Sequence, residues 1–86
     1  MNERVNMKLV DATKEQFRSA VDVIELREQS FAFTLNHYRK GKLIHTASYN
    51  SFALAMRAAR TAGLKHPGVQ TFICVHNEYR RVERWD

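Results

Sequence analysis

The chain has 86 residues and a mass of 10.1 kDa, which predicts a single domain spanning residues 1–86 and excludes a two-domain enzyme with a deep interdomain cleft. An apolar fraction of 44% and a charged fraction of 27%, with only three Gly and one Pro, exclude low-complexity and disordered classes. Fourteen Lys and Arg against nine Asp and Glu give a net charge of +5, which suits an acidic or polyanionic partner, and one cysteine excludes an internal disulfide and a Cys-rich metal site.

Nine of the cations are Arg, the residue suited to bidentate contacts with phosphate or carboxylate. The opening segment Met1-Asn2-Glu3-Arg4-Val5-Asn6 has no apolar core of signal-peptide length. No stretch approaches the roughly 18 apolar residues of a membrane span. A cytoplasmic protein without membrane contact is expected. Cys74 lies in the apolar run Phe72-Ile73-Cys74-Val75 and reads as a reduced thiol packed as a small hydrophobe.

Alternation of Val5, Met7 and Leu9 with Asn6 and Lys8 predicts a short strand over residues 5–10. Thr13-Lys14-Glu15-Gln16 then forms a T-x-x-Q capping box. Phe17, Ala20, Val21 and Ile24 follow at i, i+3, i+4, i+7, which predicts a helix over about 13–27 with Arg18, Asp22 and Glu25 facing solvent. Val21-Asp22-Val23 is equally able to open a strand. Residues 30–38 and 42–49 read as a β-hairpin with Phe31, Phe33 and Leu35 on one face. In its turn, Arg39-Lys40-Gly41-Lys42, Gly41 can take positive φ. On the return strand Leu43, His45, Ala47 and Tyr49 share a face.

A second helix starts at an Asn50 or Ser51 cap, carries Phe52, Ala55, Met56, Ala59 and Ala62 on one stripe, and stops at Gly63. Its alanines make a slim body able to lie close to a sheet. Val69 to His76 reads as a strand apolar on both faces, hence central. The tail from Glu78 to Trp85 is either a charged edge strand or a loose end. The order β-α-β-β-α-β predicts an α+β fold of ferredoxin-like layout, with an antiparallel sheet, two helices on one face and an optional fifth strand.

Chemistry-bearing motifs are scarce. The histidines His37, His45, His66 and His76 show no helical ligand spacing, and Cys74 with His76 supplies only two metal ligands. Asp11, after the first strand, stands where small ferredoxin-like nucleases carry a metal-binding acid, and also where capping aspartates are common. Neither a Gly-rich phosphate loop nor a nucleophile elbow exists. No metal, cofactor or catalytic residue is assigned, and a non-enzymatic protein is expected. The pattern of an RNA-binding sheet motif is also missing from Lys40-Gly41-Lys42-Leu43-Ile44-His45-Thr46-Ala47, which lacks its aromatics.

The span Phe31 to His76, with Ser51-Phe52-Ala53-Leu54-Ala55-Met56-Arg57-Ala58-Ala59-Arg60 as its helix, resembles in architecture small bacteriophage and mobile-element proteins that inhibit host enzymes or defence systems. It covers about half the chain and carries over no functional residue. Many such inhibitors are acidic mimics of nucleic acid. This chain is basic, so the resemblance implies a partner with an acidic surface or one that itself handles nucleic acid.

The leading expectation is therefore a small basic binding protein that occludes a site on a macromolecular partner. Its candidate contacts are Tyr38, Arg39, Lys40 and Lys42 at the hairpin tip and Arg57 and Arg60 on the second helix. Tyr79, Arg80, Arg81, Arg84 and Trp85 in the tail complete the set. Direct DNA or RNA binding through the same cations is the alternative. A small nuclease or toxin is a third reading, and it requires activity to depend on one acid or histidine. A homodimer through an exposed sheet edge or the tail is compatible with all three.

Overall fold

Thr13 starts the first helix through the expected box. Its hydroxyl accepts from the Gln16 N–H at 3.1 Å, and the Gln16 carboxamide accepts from the Thr13 N–H at 2.9 Å. The computed structural model describes residues 6–86 and orders them as β1 (Met7–Asp11), α1 (Lys14–Ser19), β2 (Asp22–Glu28), β3 (Phe33–Arg39), β4 (Lys42–Tyr49), α2 (Phe52–Lys65), β5 (Gln70–Val75) and β6 (Glu78–Trp85). Val5, which the alternation placed in the first strand, lies outside the described residues.

The helix expected over 13–27 ends after six residues, and its second half is the strand β2. Val21, Asp22, Val23 and Ile24 include three β-branched side chains, which favour strand over helix. Along β2, Asp22, Ile24 and Leu26 face one side of the sheet while Val23, Glu25 and Arg27 face the other. This period of two was masked by the helical stripe that runs from Phe17 through Ala20 and Val21 into Ile24, although β2 is central and buried on both faces.

The six strands form one sheet in the order β1-β6-β5-β2-β3-β4. The β2–β5 pair is parallel and the other four pairs are antiparallel. The ferredoxin-like, antiparallel layout with two helices on one face is thereby overturned. The sheet is mixed, and the helices lie on opposite faces. Ala55, Met56 and Ala59 of α2 close over Ile24, Leu26, Leu35, Ile73 and Val82. Each buried Ile, Leu, Val or Met among them contributes about 1.5–3 kcal/mol. On the other face Phe17 of α1 meets Phe72 edge-on at 5.7 Å, stacks on Tyr79 at 5.3 Å and meets Tyr38 edge-on at 5.8 Å.

Four further expectations need correction. The tail is an internal strand: β6 pairs with β5 on one side and β1 on the other. Gly63 does not stop α2, which runs to Lys65 and is capped by His66. An added Cβ on Gly63 would lie 2.8 Å from Trp85 Nε1, so glycine here makes room for the indole. Phe31 precedes β3 and is 97% exposed, so it does not share the inward face of Phe33 and Leu35. A bulge between His37 and Tyr38 also sets Leu43 opposite Tyr38, off the face shared by His45, Ala47 and Tyr49.

Candidate nucleic-acid interface

The β3–β4 turn is built by Lys40 and Gly41, with φ of 52° and 79°. Both values are left-handed, as a two-residue hairpin turn of the primed type requires. The Lys40 N–H donates to the Val21 carbonyl at 2.7 Å, which ties the turn to the start of β2. The tip is thus anchored, and it presents Arg39, Lys40 and Lys42. At the same end α2 finishes with Lys65 and His66, because β2 and β5 both begin there.

Asp22, the first residue of β2, is the carboxylate among these cations. His37 Nε2 lies 2.6 Å from Asp22 Oδ1, and Arg39 Nε lies 3.9 Å from the same oxygen. The His37 and His66 rings are 5.9 Å apart, and His45 is opposite His37 across the hairpin. These three histidines line one cavity of about 290 Å³ with Arg39, Ile24, Leu35, Ile44 and Ala62. Among the described residues, no three His, Cys, Asp or Glu side chains are placed to hold a metal ion.

The remaining sequence candidates are dispersed, and the aromatic ones are structural. Tyr38 and Tyr79 are half-buried against Phe17, and burial pushes both phenols up. Trp85 covers the core beside Gly63. Arg60 donates to the Asp86 carbonyl at 3.4 Å and Arg84 to the Asp86 carboxylate at 3.1 Å. Arg80 is exposed opposite Asp11 on β1, Arg81 is half-buried opposite Phe72, and Arg57 is exposed on α2. Of the eleven residues, only Arg39, Lys40 and Lys42 form one exposed cationic group.

A second polar cluster lies on the α1 face. Glu25, 2% exposed, accepts from Asn36 Nδ2 at 3.1 Å, from Arg27 Nη1 at 3.3 Å and from the Tyr79 hydroxyl at 3.5 Å. Arg27 also reaches Cys74 Sγ at 3.7 Å. The cluster is saturated by its own members, and no buried side-chain nitrogen or oxygen among the described residues lacks a partner. It holds the sheet together and offers no free group to a ligand.

Sequence reasoning missed Asp22, His37, His45 and His66 as a group. The turn at Lys40-Gly41 carried part of the signal: symmetric pairing about it sets His37 opposite Ile44, and the bulge between His37 and Tyr38 moves the partner to His45. Asp22 was legible only once β2 is a strand, and His66 only once α2 extends past Gly63.

No family model matches the chain, and no curated protein or solved structure gives a significant match. The site therefore rests on its own geometry. No helix among the described residues is long and apolar enough to cross a membrane.

Proposed function

We propose that this chain is a small basic binding protein whose hairpin end grips nucleic acid through its phosphates. The observation that carries the reading is the anchored tip, which presents exposed Arg39, Lys40 and Lys42 at the end of the sheet where α2 finishes with Lys65. Lys and Arg on a projecting two-stranded ribbon suit a phosphate backbone. The docking of aromatic anchors on a protein, which led the sequence reading, loses Tyr38, Tyr79 and Trp85 to the fold. The cations of the tip keep their exposure.

Fluorescence anisotropy with labelled single-stranded and duplex oligonucleotides tests this. Affinity is expected to fall with salt, with a log–log slope of about −0.7 to −0.9 per phosphate contact. Lys40→Glu with Lys42→Glu should weaken binding about tenfold or more and flatten that slope. Absence of binding at low salt, or indifference to the double charge reversal, sinks the proposal.

A second reading keeps an inhibitor that occludes a protein partner, and Phe31 favours it. This ring stands 97% exposed on the loop joining β2 to β3, a position suited to an anchor in a partner's pocket. Phe31→Asp should then abolish capture of a partner that nuclease treatment does not release, while nucleic-acid affinity stays unchanged. Capture that survives this substitution removes Phe31 as the anchor.

A further inference from the structure

We infer that the cavity at the hairpin end is a ribonuclease site in which His37 and His66 act as a general base and acid on a phosphodiester of RNA. The inference rests on the nucleic-acid reading of the same end and goes beyond it by naming the substrate and a reaction.

Three of the four histidines converge on one cavity of about 290 Å³. Of these, His37 is the most enclosed and is held by a carboxylate, with Nε2 at 2.6 Å from Asp22 Oδ1. That bond makes Nε2–H the donor to Asp22 and leaves Nδ1 as the basic nitrogen. No buried side-chain nitrogen among the described residues lacks a partner, and His37 makes no second side-chain hydrogen bond, so Nδ1 opens to solvent. The His66 ring lies 5.9 Å away at the exposed cap of α2, and a phosphate that engages both rings requires it to swing outward. Arg39 reaches the same cavity from β3 and supplies positive charge for the non-bridging oxygens.

The cavity contains no Ser, Thr or Cys among its lining residues. A nucleophile there is either water or a group that arrives with the substrate, and the one we assign is the 2′-hydroxyl of RNA, which is held beside the phosphorus it attacks. His37 Nδ1 takes the 2′-hydroxyl proton, O2′ bonds to phosphorus, and the P–O5′ bond breaks. The departing O5′ takes a proton from protonated His66. The products are a 2′,3′-cyclic phosphate and a 5′-hydroxyl, with no change of oxidation state and no co-reactant. A neutral imidazole accepts a proton and an imidazolium donates one, and the pairing uses one of each. Asp22 is a positioning residue that fixes the His37 tautomer and balances the imidazolium as it forms. The third sequence reading, a small nuclease, thereby acquires named residues.

The test uses an oligoribonucleotide carrying a fluorophore and a quencher, with EDTA present, and its fully 2′-O-methyl analogue for anisotropy. Expected are cleavage of the ribonucleotide to ends bearing a cyclic phosphate, and an analogue that is bound and stays intact. His37→Ala and His66→Ala should each slow cleavage at saturating substrate by about 10²–10⁴-fold. Asp22→Asn should lower kcat without raising KM. His76→Ala, at the opposite end of the sheet, serves as the unaffected control. His37→Asn replaces His37→Ala if circular dichroism shows that the alanine variant does not fold. Absence of cleavage with the analogue still bound overturns the catalytic inference alone, as does cleavage that His37→Ala leaves unchanged. Cleavage that depends on His37, with no measurable analogue binding, overturns the binding reading and keeps the catalytic pair.

Discussion

Glu25 shows how a single residue can be misread when its element is misread. On a helix its position among Arg18 and Asp22 looked solvated. On β2 the carboxylate is almost fully buried and takes hydrogen bonds from Asn36, Arg27 and Tyr79. A buried carboxylate is tolerated only with such partners, because desolvation costs several kcal/mol. The Tyr79 hydroxyl donates to Glu25 and accepts from Arg27, so Tyr79→Phe should cost about 1 kcal/mol in urea denaturation. Burial, aided by the Glu25 charge, raises the phenols of Tyr38 and Tyr79, and Cys74 adds to the effect on Tyr79. A raised phenol stabilises the fold fully below the unfolded value of about pH 10. That contribution is lost as pH rises through the folded values. Stability should therefore fall in the alkaline range, and absorbance at 295 nm should report Tyr38 and Tyr79 ionising late. Ionisation of both at the ordinary phenol value contradicts this. The part of the candidate site that concerns Tyr38, Tyr79 and Trp85 was not legible. Their residue types suit a binding surface and a packed face equally, and only packing separates the two.

At the scale of elements, the most legible pieces were those whose signals are local. The capping box, the Lys40-Gly41 turn and the Ser51 cap, whose hydroxyl accepts from the Leu54 N–H at 3.1 Å, all formed as their residues require. Gly63 is the exception inside α2. Its local signal is a stop, yet the helix passes through it because Thr71 and Trp85 lie against its open side. Gly63→Ala gains about 1 kcal/mol in helix propensity. It also pushes a methyl to 2.8 Å from the indole nitrogen, and overpacking costs about 1–3 kcal/mol. The second effect should win. A net loss of about 1 kcal/mol and a red shift of Trp85 emission are expected, whereas a more stable variant with unchanged fluorescence would show that the indole yields freely. β2 was the element lost, because the capping box and the apolar stripe of Phe17, Ala20, Val21 and Ile24 carry a helical period into the short alternation Ile24-Glu25-Leu26-Arg27.

At the scale of the whole molecule, the order of strands decides which parts are indispensable. β6 joins β1 to the rest of the sheet and contributes Val82 and Trp85 to the core on the α2 face. A chain ending at Asn77 should therefore lose β1 and β6 together and show no cooperative thermal transition by circular dichroism. A cooperative transition in that truncated chain would return the tail to an appendage. The amino-acid sequence by itself determined the hairpin, the capped alanine-rich helix, the apolar strand β5 and the positive charge of the tip. Each of these depends on residues within a few positions of one another. Only the tertiary structure decided that residues 22–28 are a strand, that β2 lies parallel to β5, that β6 is internal, and that Asp22, His37, His45 and His66 meet at one end. Those outcomes depend on pairing between segments tens of residues apart, whose cost in chain entropy is repaid by burying both faces of the central strands. That exchange is a property of the assembled sheet, and no local pattern encodes it.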